Sequence, residues 1–181
     1  MLRLRRKGAK RDEASEKAMI ILGIDPGLAT MGYGVISYDG TKARPVDYGA
    51  LLTPARMPLP ERLLHLFEGV EDLCKRFEPD DIAMEELFFA RNVTTAIAVG
   101  EARGAAIVAM RRHTNNIFEY TPMQIKQAVV GYGKAEKNQV QQMVRMLLGL
   151  QEIPKPDDAA DALAAAICHA HSSRMRHEFK M

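Results

Sequence analysis

Several features that define common protein classes are missing from this 181-residue sequence. It has no apolar run near the roughly 18 residues that a membrane-spanning helix needs, and its N-terminus lacks the apolar stretch of a secretory signal. Its two cysteines, Cys74 and Cys168, lie within helical patterns and show no CxxC spacing, so we expect neither a disulfide framework nor a zinc site. These absences predict a cytoplasmic protein, without a membrane partner, whose thiols stay reduced in its core.

An excess of positive charge is also missing from most of the chain. Residues 1–18 carry seven Lys or Arg and three Asp or Glu, a net charge of +4, whereas residues 19–181 have a net charge of −2. A nucleic-acid site in the body of the protein must therefore come from a local basic patch. The leader, residues 1–18, is polar and without apolar periodicity, and we predict that it is disordered. A basic arm for nucleic acid and residues upstream of a start at Met19 are alternative interpretations.

The remaining pattern predicts one α/β domain over residues 19–173 and a flexible tail over 174–181, without internal repeats. Apolar and alternating runs predict five strands, the first three in an antiparallel meander: Met19–Ile24, Met31–Tyr38, Pro45–Thr53, Asp81–Glu85 and Ile117–Tyr120. Helical periods and caps predict five helices: Glu61–Phe77, Asn92 or Thr94 to about Arg112, one from Thr121-Pro122, Gln139–Leu148 and Asp157–His171. The segment GYGKAEKN is predicted to be a flexible basic loop. This order implies a mixed five-stranded sheet with helices on both faces.

Acidic residues stand at three places where packing does not call for a charge. Asp25 ends the first strand in GIDPG, Glu85 ends the fourth in IAMEELFF, and DDAAD opens the last helix, with Asp158 and Asp161 on one face. Each has an ordinary structural explanation, as a turn residue, a solvated strand end or a charge that meets the helix dipole. Together they favour a shared site, because strand ends in such sheets lie beside one another, where ligands bind.

Clustered carboxylates point to one kind of chemistry. Carboxylates within about 4–6 Å raise one another's pKa unless a cation joins them. Oxygen ligands without His or Cys favour Mg²⁺ or Mn²⁺, and such ions serve phosphoryl chemistry by activating water and stabilising the leaving oxygen. The residues alone therefore predict a metal-dependent phosphodiesterase or phosphotransferase.

Five segments, in order and with matching spacing, resemble the RuvC family of Holliday-junction resolvases across residues 19–173. They are GIDPGLATMGYGVI, AMEELFFARN, GEARGAAIV, QIKQAVVGYGKAEKNQVQ and DDAADALAAAICH. The resemblance implies an RNase H-like fold of the retroviral-integrase type and a homodimer. It also implies paired, symmetric nicks in four-way DNA junctions during recombination and repair, which leave 5′-phosphate and 3′-hydroxyl ends. Two Mg²⁺ ions per active site, with Mn²⁺ as a substitute, and the branch-migration proteins RuvA and RuvB as partners follow from the same resemblance.

The resemblance assigns catalytic roles to individual residues. The family's catalytic and metal-binding carboxylates correspond to Asp25, Glu85, Asp158 and Asp161. In the mechanism that it implies, Asp25 lies between two Mg²⁺ ions, with Glu85 on one side and the two helical aspartates on the other. Asp157 lies one residue before the family's position and is interpreted as a neighbouring charge.

DNA contacts are implied in the same way. Lys126 in QIKQ and Lys137 in AEKN correspond to the family's basic residues near the junction, and Phe88 corresponds to the ring that disturbs base stacking at the crossover. Without the resemblance, Phe88 reads as a core residue and the two lysines as solvated surface residues. His169, near the end of the last helix, is interpreted as a structural residue, with a metal-facing role left open.

Three other functions agree with parts of the pattern. An actin-like or Hsp70-like ATPase shares a strand followed by a GIDxG turn, but it needs a second lobe and a second glycine-rich phosphate loop, for which this sequence offers no clear candidate. A non-catalytic junction-binding module gives no reason for four carboxylates. An RNase H-like nuclease acting on RNA or on other DNA differs only in its substrate.

Overall fold

A computed structural model describes residues 18–87, 93–172 and 178–181 of the chain. The elements in these ranges, in chain order, are β1 (Met19–Asp25), β2 (Thr30–Tyr38), β3 (Ala43–Leu52), α1 (Leu59–Phe77), β4 (Asp81–Glu85), α2 (Val93–Arg111), β5 (Ile117–Tyr120), α3 (Pro122–Val130), α4 (Lys137–Leu147) and α5 (Asp157–Ser172). Nearly all of the predicted leader lies outside the described residues.

The strands described by the structure form one mixed sheet in the order β3-β2-β1-β4-β5. The first three pair antiparallel, whereas β4 runs parallel to β1 and β5 runs parallel to β4. The predicted meander and the predicted mixed five-stranded sheet are therefore confirmed. Because β1, β4 and β5 run in the same direction, their carboxyl ends meet at one edge of the sheet.

Helices cover both faces of the sheet, as predicted. The strand period of two gives each face its own apolar set, and one set packs against α3, α4 and α5, while the other packs against α1 and α2. Eleven of the 16 residues of α5 are buried, in agreement with its alanine-rich sequence. Among the described helices, none has the length and apolar character needed to cross a membrane. Cys74 and Cys168 are buried and unpaired, so the prediction of core thiols is confirmed.

Two glycines let α5 lie directly on the sheet. A Cβ atom at Gly23 would lie 2.0 Å from the carbonyl oxygen of Ala162, and one at Gly32 would lie 2.0 Å from that of Asp158. Real Cβ contacts are not this short, so any other residue at either position would push the helix backbone away. Since Gly32 pairs with Asp25 across the β1–β2 ladder, this close approach sets the first turn of α5 beside the end of β1.

The start of α4 differs from the prediction. The helix begins at Lys137 instead of Gln139, so the last part of the predicted loop GYGKAEKN is helical. The physical reason is local capping, because the Glu136 backbone N–H donates a hydrogen bond to Oε1 of Gln139 at 2.8 Å. Lys137 therefore occupies the first position of a helix.

The end of the chain also differs from the predicted flexible tail. Residues 178–181 lie along β5, where the Glu119 N–H donates to the Phe179 carbonyl and the Met181 N–H donates to the Ile117 carbonyl, both at 2.9 Å. This pairing satisfies backbone groups on the outer side of β5.

Candidate active site

The four predicted carboxylates come from three elements that meet at one edge of the sheet. Asp25 is the last residue of β1, and Glu85 is the last residue of its parallel neighbour β4. Helix α5 runs antiparallel to both strands, so its first two turns bring Asp158 and Asp161 to the same edge. The structure thus places together the carboxylates that stand far apart in the sequence.

Burial and crowding perturb two of these acids. Burial is the main cause that raises the pKa of Asp25 from 3.8 to about 8, and the charges of Glu85, Asp161 and Asp158 raise it further. Burial also raises the pKa of Glu85, followed by the charge of Asp161. Lys137 opposes both shifts. Carboxyl groups in this condition are stabilised as anions when a cation is bound beside them.

A cavity of about 240 Å³ opens beside the carboxylates. Glu85 and Asp161 line one part of it, and the predicted DNA-contacting residues Lys126 and Lys137 line another. The lysines come from α3 and the first position of α4, so both helices direct positive charge toward the acidic edge of the sheet. A phosphate group entering this cavity would meet both lysines.

Lys137 makes the closest contact between the two charge types. Its Nζ lies 2.9 Å from Oδ2 of Asp161 and 3.8 Å from Oδ2 of Asp157. Asp157 also pairs with Lys155 at 3.0 Å, and this hydrogen bond is the main cause that lowers the pKa of Asp157. Asp157 therefore faces the surface with its own partner, as expected for a neighbouring charge.

The donor set of the four carboxylates fits a hard divalent cation, although the side chains do not form a finished coordination site. All donors are oxygens, and the pKa of Asp25 is raised first by burial and then by the charges of the neighbouring acids, which a bound cation would offset. Within residues 18–87, 93–172 and 178–181, no three acidic, histidine or cysteine side chains are arranged to hold a metal ion. Of the four carboxylates, Asp161 is the one that forms a salt bridge with a lysine in the part of the chain that the structure describes.

His169 lies at the other end of α5, away from the carboxylates. It is fully buried, with Nε2 2.9 Å from Oδ2 of Asp81 and Nδ1 2.7 Å from the Tyr120 hydroxyl. Asp81 begins β4, whereas Glu85 ends it. The metal-facing role left open for His169 is therefore contradicted, and the structural interpretation holds. Phe88 lies outside the described residues.

Sequence reasoning missed two features that hold α5 against the sheet. One is the buried Asp81–His169–Tyr120 network, whose only sequence signal is an acid at the start of a buried strand. The other is Gly32, which seats the first turn of α5. The alternating glycines Gly32 and Gly34 of β2 are a usable signal, since glycine inside a strand marks a close approach of another backbone.

Comparison with known proteins identifies relatives along nearly the whole described chain. The family model for crossover junction endodeoxyribonuclease RuvC matches residues 21–169. The protein of that name from Alkaliphilus metalliredigens is 54% identical over 163 residues, which cover 90% of this chain and 99% of the relative. The protein of that name from Desulfitobacterium hafniense is 61% identical over 154 residues, which cover 85% and 93%.

Solved structures show the same similarity in three dimensions. Thermus thermophilus RuvC matches with a TM-score of 0.82 and 41% identity over 90% of this chain and 99% of that one. The same protein in complex with a Holliday junction substrate matches with a TM-score of 0.84 and 41% identity over 90% and 98%. The yeast mitochondrial Holliday junction resolvase Ydc2, at 16% identity, has a TM-score of 0.63 over 92% and 86%, which shows a shared fold. The predicted RNase H-like fold is confirmed, and the chain belongs to the RuvC family of crossover junction endodeoxyribonucleases.

Proposed function

We propose that this protein is a Holliday-junction resolvase, an endonuclease that makes paired symmetric nicks in four-way DNA junctions during recombination and repair. The observation that carries the proposal is the group of four carboxylates at one edge of the sheet, beside a cavity that two lysines also line. A relative at 41% identity, from Thermus thermophilus, is known in complex with a Holliday junction substrate. The same substrate fits the combination of acidic and basic groups in this chain.

RuvC-family nucleases require a divalent metal ion, and we propose Mg²⁺ with two ions per active site and Mn²⁺ as a substitute. Asp25, Glu85, Asp158 and Asp161 would hold these ions. When bound, such ions supply an activated water and stabilise the leaving oxygen in phosphodiester hydrolysis, which would leave 5′-phosphate and 3′-hydroxyl ends. The partly buried position of Asp25 keeps bulk water away from part of the site and strengthens its attraction for a cation.

We assign DNA binding to two lysines that line the cavity and to one aromatic residue. Lys126 and Lys137 would bind backbone phosphates beside the scissile bond, and Phe88 would disturb base stacking at the crossover. Phosphate contacts of this kind release counterions, so junction binding should weaken steeply as the salt concentration rises. The net charge of −2 over residues 19–181 makes these local lysines the more important for attraction to DNA.

We propose that two copies act together through α2. Ile97 and Val108 on this helix are 59% and 58% exposed, and the positions of Gly100 and Gly104 between them have no atom within 4 Å of an added Cβ. These four residues follow one face of the helix, which is apolar and open to a close-packed second helix. A homodimer with a two-fold axis through this face would match the symmetry of the junction and give two cuts.

The remaining partners and the location follow from the same function. We propose that the branch-migration proteins RuvA and RuvB deliver the junction to this nuclease. We place the activity in the cytoplasm, where the buried, unpaired thiols Cys74 and Cys168 stay reduced.

The direct test is cleavage of defined substrates. The protein is incubated with a labelled four-way junction, a linear duplex of the same sequence and an RNA–DNA hybrid, with Mg²⁺ or with EDTA. We expect paired nicks in the junction alone, and only with Mg²⁺. The Asp25→Asn variant should lose cleavage and keep junction binding, whereas Asp157→Asn, which changes an exposed carboxylate with its own lysine partner, should cleave normally. Cleavage of the hybrid but not the junction would instead support an RNase H-like nuclease acting on RNA.

A further inference from the structure

The positively charged side chain of Lys137 lies at the acidic edge of the sheet, where we propose that a metal cation binds. Its Nζ pairs with Asp161 at 2.9 Å, and in the described part of the chain no carboxylate forms a salt bridge with Lys126, which lines the same cavity. The Lys137 side chain is 56% exposed and that of Asp161 is 24% exposed. The ion pair is thus accessible to solvent on the lysine side and partly buried on the aspartate side.

The position of Lys137 in α4 indicates which groups stabilise its positive charge. A positive charge at the first position of a helix is disfavoured by the helix dipole, and Lys137 is the first residue of α4. The backbone there is fixed, since Oε1 of Gln139 accepts hydrogen bonds from the Glu136 N–H at 2.8 Å and from the Tyr132 hydroxyl at 2.7 Å. The ammonium group therefore gains its favourable interactions from the acids of α5, and more than half of its side chain is exposed to solvent.

We propose that Lys137 is an internal counter-ion that holds Asp161 in the metal-free protein and must release it before a divalent cation binds. This inference rests on the metal site of the proposed function. The observation behind it is the 2.9 Å contact between Nζ of Lys137 and Oδ2 of Asp161, which occupies a carboxylate oxygen that a metal ion would need. Once released, the ammonium group is beside the cavity that the DNA phosphate would enter.

Coupling between metal and DNA follows from this exchange. A phosphate that attracts Lys137 away from Asp161 makes the carboxylate available to the cation, and the cation makes the ammonium available to the phosphate. By thermodynamic linkage each ligand then raises the affinity for the other by the same factor. The metal would bind weakly to the free protein and more tightly when the junction is in place.

The test measures metal affinity without DNA and without catalysis. Mn²⁺ is titrated into the full chain and its Kd is obtained by calorimetry and by the paramagnetic signal of the free ion. We expect Lys137→Gln to bind Mn²⁺ about threefold to fivefold more tightly than the parent, the range that corresponds to a partly exposed ion pair. Lys137→Arg keeps the charge and the pairing, so its Kd should remain at the parent value.

Two further variants separate the ion pair from a general loss of positive charge. Lys126→Gln removes the same charge from the same cavity, where Lys126 acts on Glu85 without a salt bridge, and should give a smaller gain in Mn²⁺ affinity than Lys137→Gln. Lys155→Gln removes a lysine that pairs with Asp157 and should bind Mn²⁺ with nearly the parent Kd. An unchanged Kd for Lys137→Gln, or an equal gain for Lys126→Gln, would overturn the counter-ion role and leave the proposed metal site standing. A parent protein that binds no Mn²⁺ at all would overturn both proposals.

Discussion

Asp25 illustrates how a single residue can be costly to the fold and necessary to the site. Its carboxyl group ends a buried strand beside three other acids, and burial with their charges raises its pKa from 3.8 to about 8. In the unfolded chain the same group ionises near pH 4. Without a cation, the folded protein therefore keeps a proton on Asp25 over a range of pH in which the unfolded chain has lost it.

The sign of this shift predicts how stability depends on pH in EDTA. Because the folded state binds the extra proton, Asp25 makes the free energy of unfolding fall as the pH rises from about 4 to about 8, with a slope of at most about 1.4 kcal/mol per unit. Urea unfolding of the parent and of Asp25→Asn across this range should show a shallower fall for the variant. Asp157→Asn is the control, since a lowered pKa leaves Asp157 ionised in both states above about pH 5. Parallel curves for parent and Asp25→Asn would contradict the raised pKa.

The sequence was sufficient to find residues whose position in an element sets their role. Asp25 and Glu85 end predicted strands, so topology alone brings them together. The ion pair between Lys137 and Asp161 was not predictable, because it depends on how α4 lies against α5 and on a capping interaction that shifts the start of α4. His169 was likewise ambiguous until the register of α5 placed it beside Asp81.

At the scale of elements, α5 both packs in the core and carries carboxylates of the candidate active site. Its first two turns carry two of the site carboxylates, and its last turns are fixed by the contacts of His169 with β4 and β5. Between these ends the helix lies on Gly23 and Gly32 with no room for a side chain. The alanine-rich sequence predicted a buried helix, but the distance between helix and sheet depends on glycines of another element.

Substitution of Gly32 tests this arrangement. In Gly32→Ala the new methyl group would lie 2.0 Å from the Asp158 carbonyl oxygen, so α5 must move. We expect a loss of about 1–3 kcal/mol in the free energy of unfolding, as for other overpacked sites, and weaker Mn²⁺ binding because the α5 carboxylates shift. In the control, Gly49→Ala, the nearest atom is the Tyr33 hydroxyl at 2.9 Å, at the movable end of a side chain. Unfolding measurements and Mn²⁺ titration should separate the two variants; equal Mn²⁺ affinities would remove Gly32 from the positioning of the site.

At the scale of the whole molecule, the order and type of the elements were predictable because apolar periodicity and turn residues agree along the chain. Pairings between distant segments that lack a strong sequence pattern could not be predicted. The pairing of residues 178–181 with β5 is an example. The exposed face of α2 belongs to this scale as well, because Ile97 and Val108 are more than half exposed in one copy of the chain and would be covered in the proposed dimer.

A charge on that face should separate the two copies. Val108 is 58% exposed, so Val108→Glu is expected to leave the fold of one chain unchanged and to disrupt an apolar contact between two chains. Light scattering should report a monomer for this variant, and junction cleavage should give single nicks or none in place of paired cuts. Val46→Glu, at a site 49% exposed on β3, is the matched control and should remain dimeric. A Val108→Glu protein that is still dimeric would place the dimer contact elsewhere.

The pairing of residues 178–181 with β5 has a consequence for self-association. It covers the backbone groups on one outer strand of the sheet. The other outer strand, β3, contains Pro45 and faces an irregularity in its ladder at Val35 and Ile36, and both features discourage the addition of a further strand. Neither side of the sheet therefore offers a regular template for strand-by-strand growth into aggregates. The dimer that we propose would instead form through α2, and a two-fold contact of that kind closes with two chains and does not propagate.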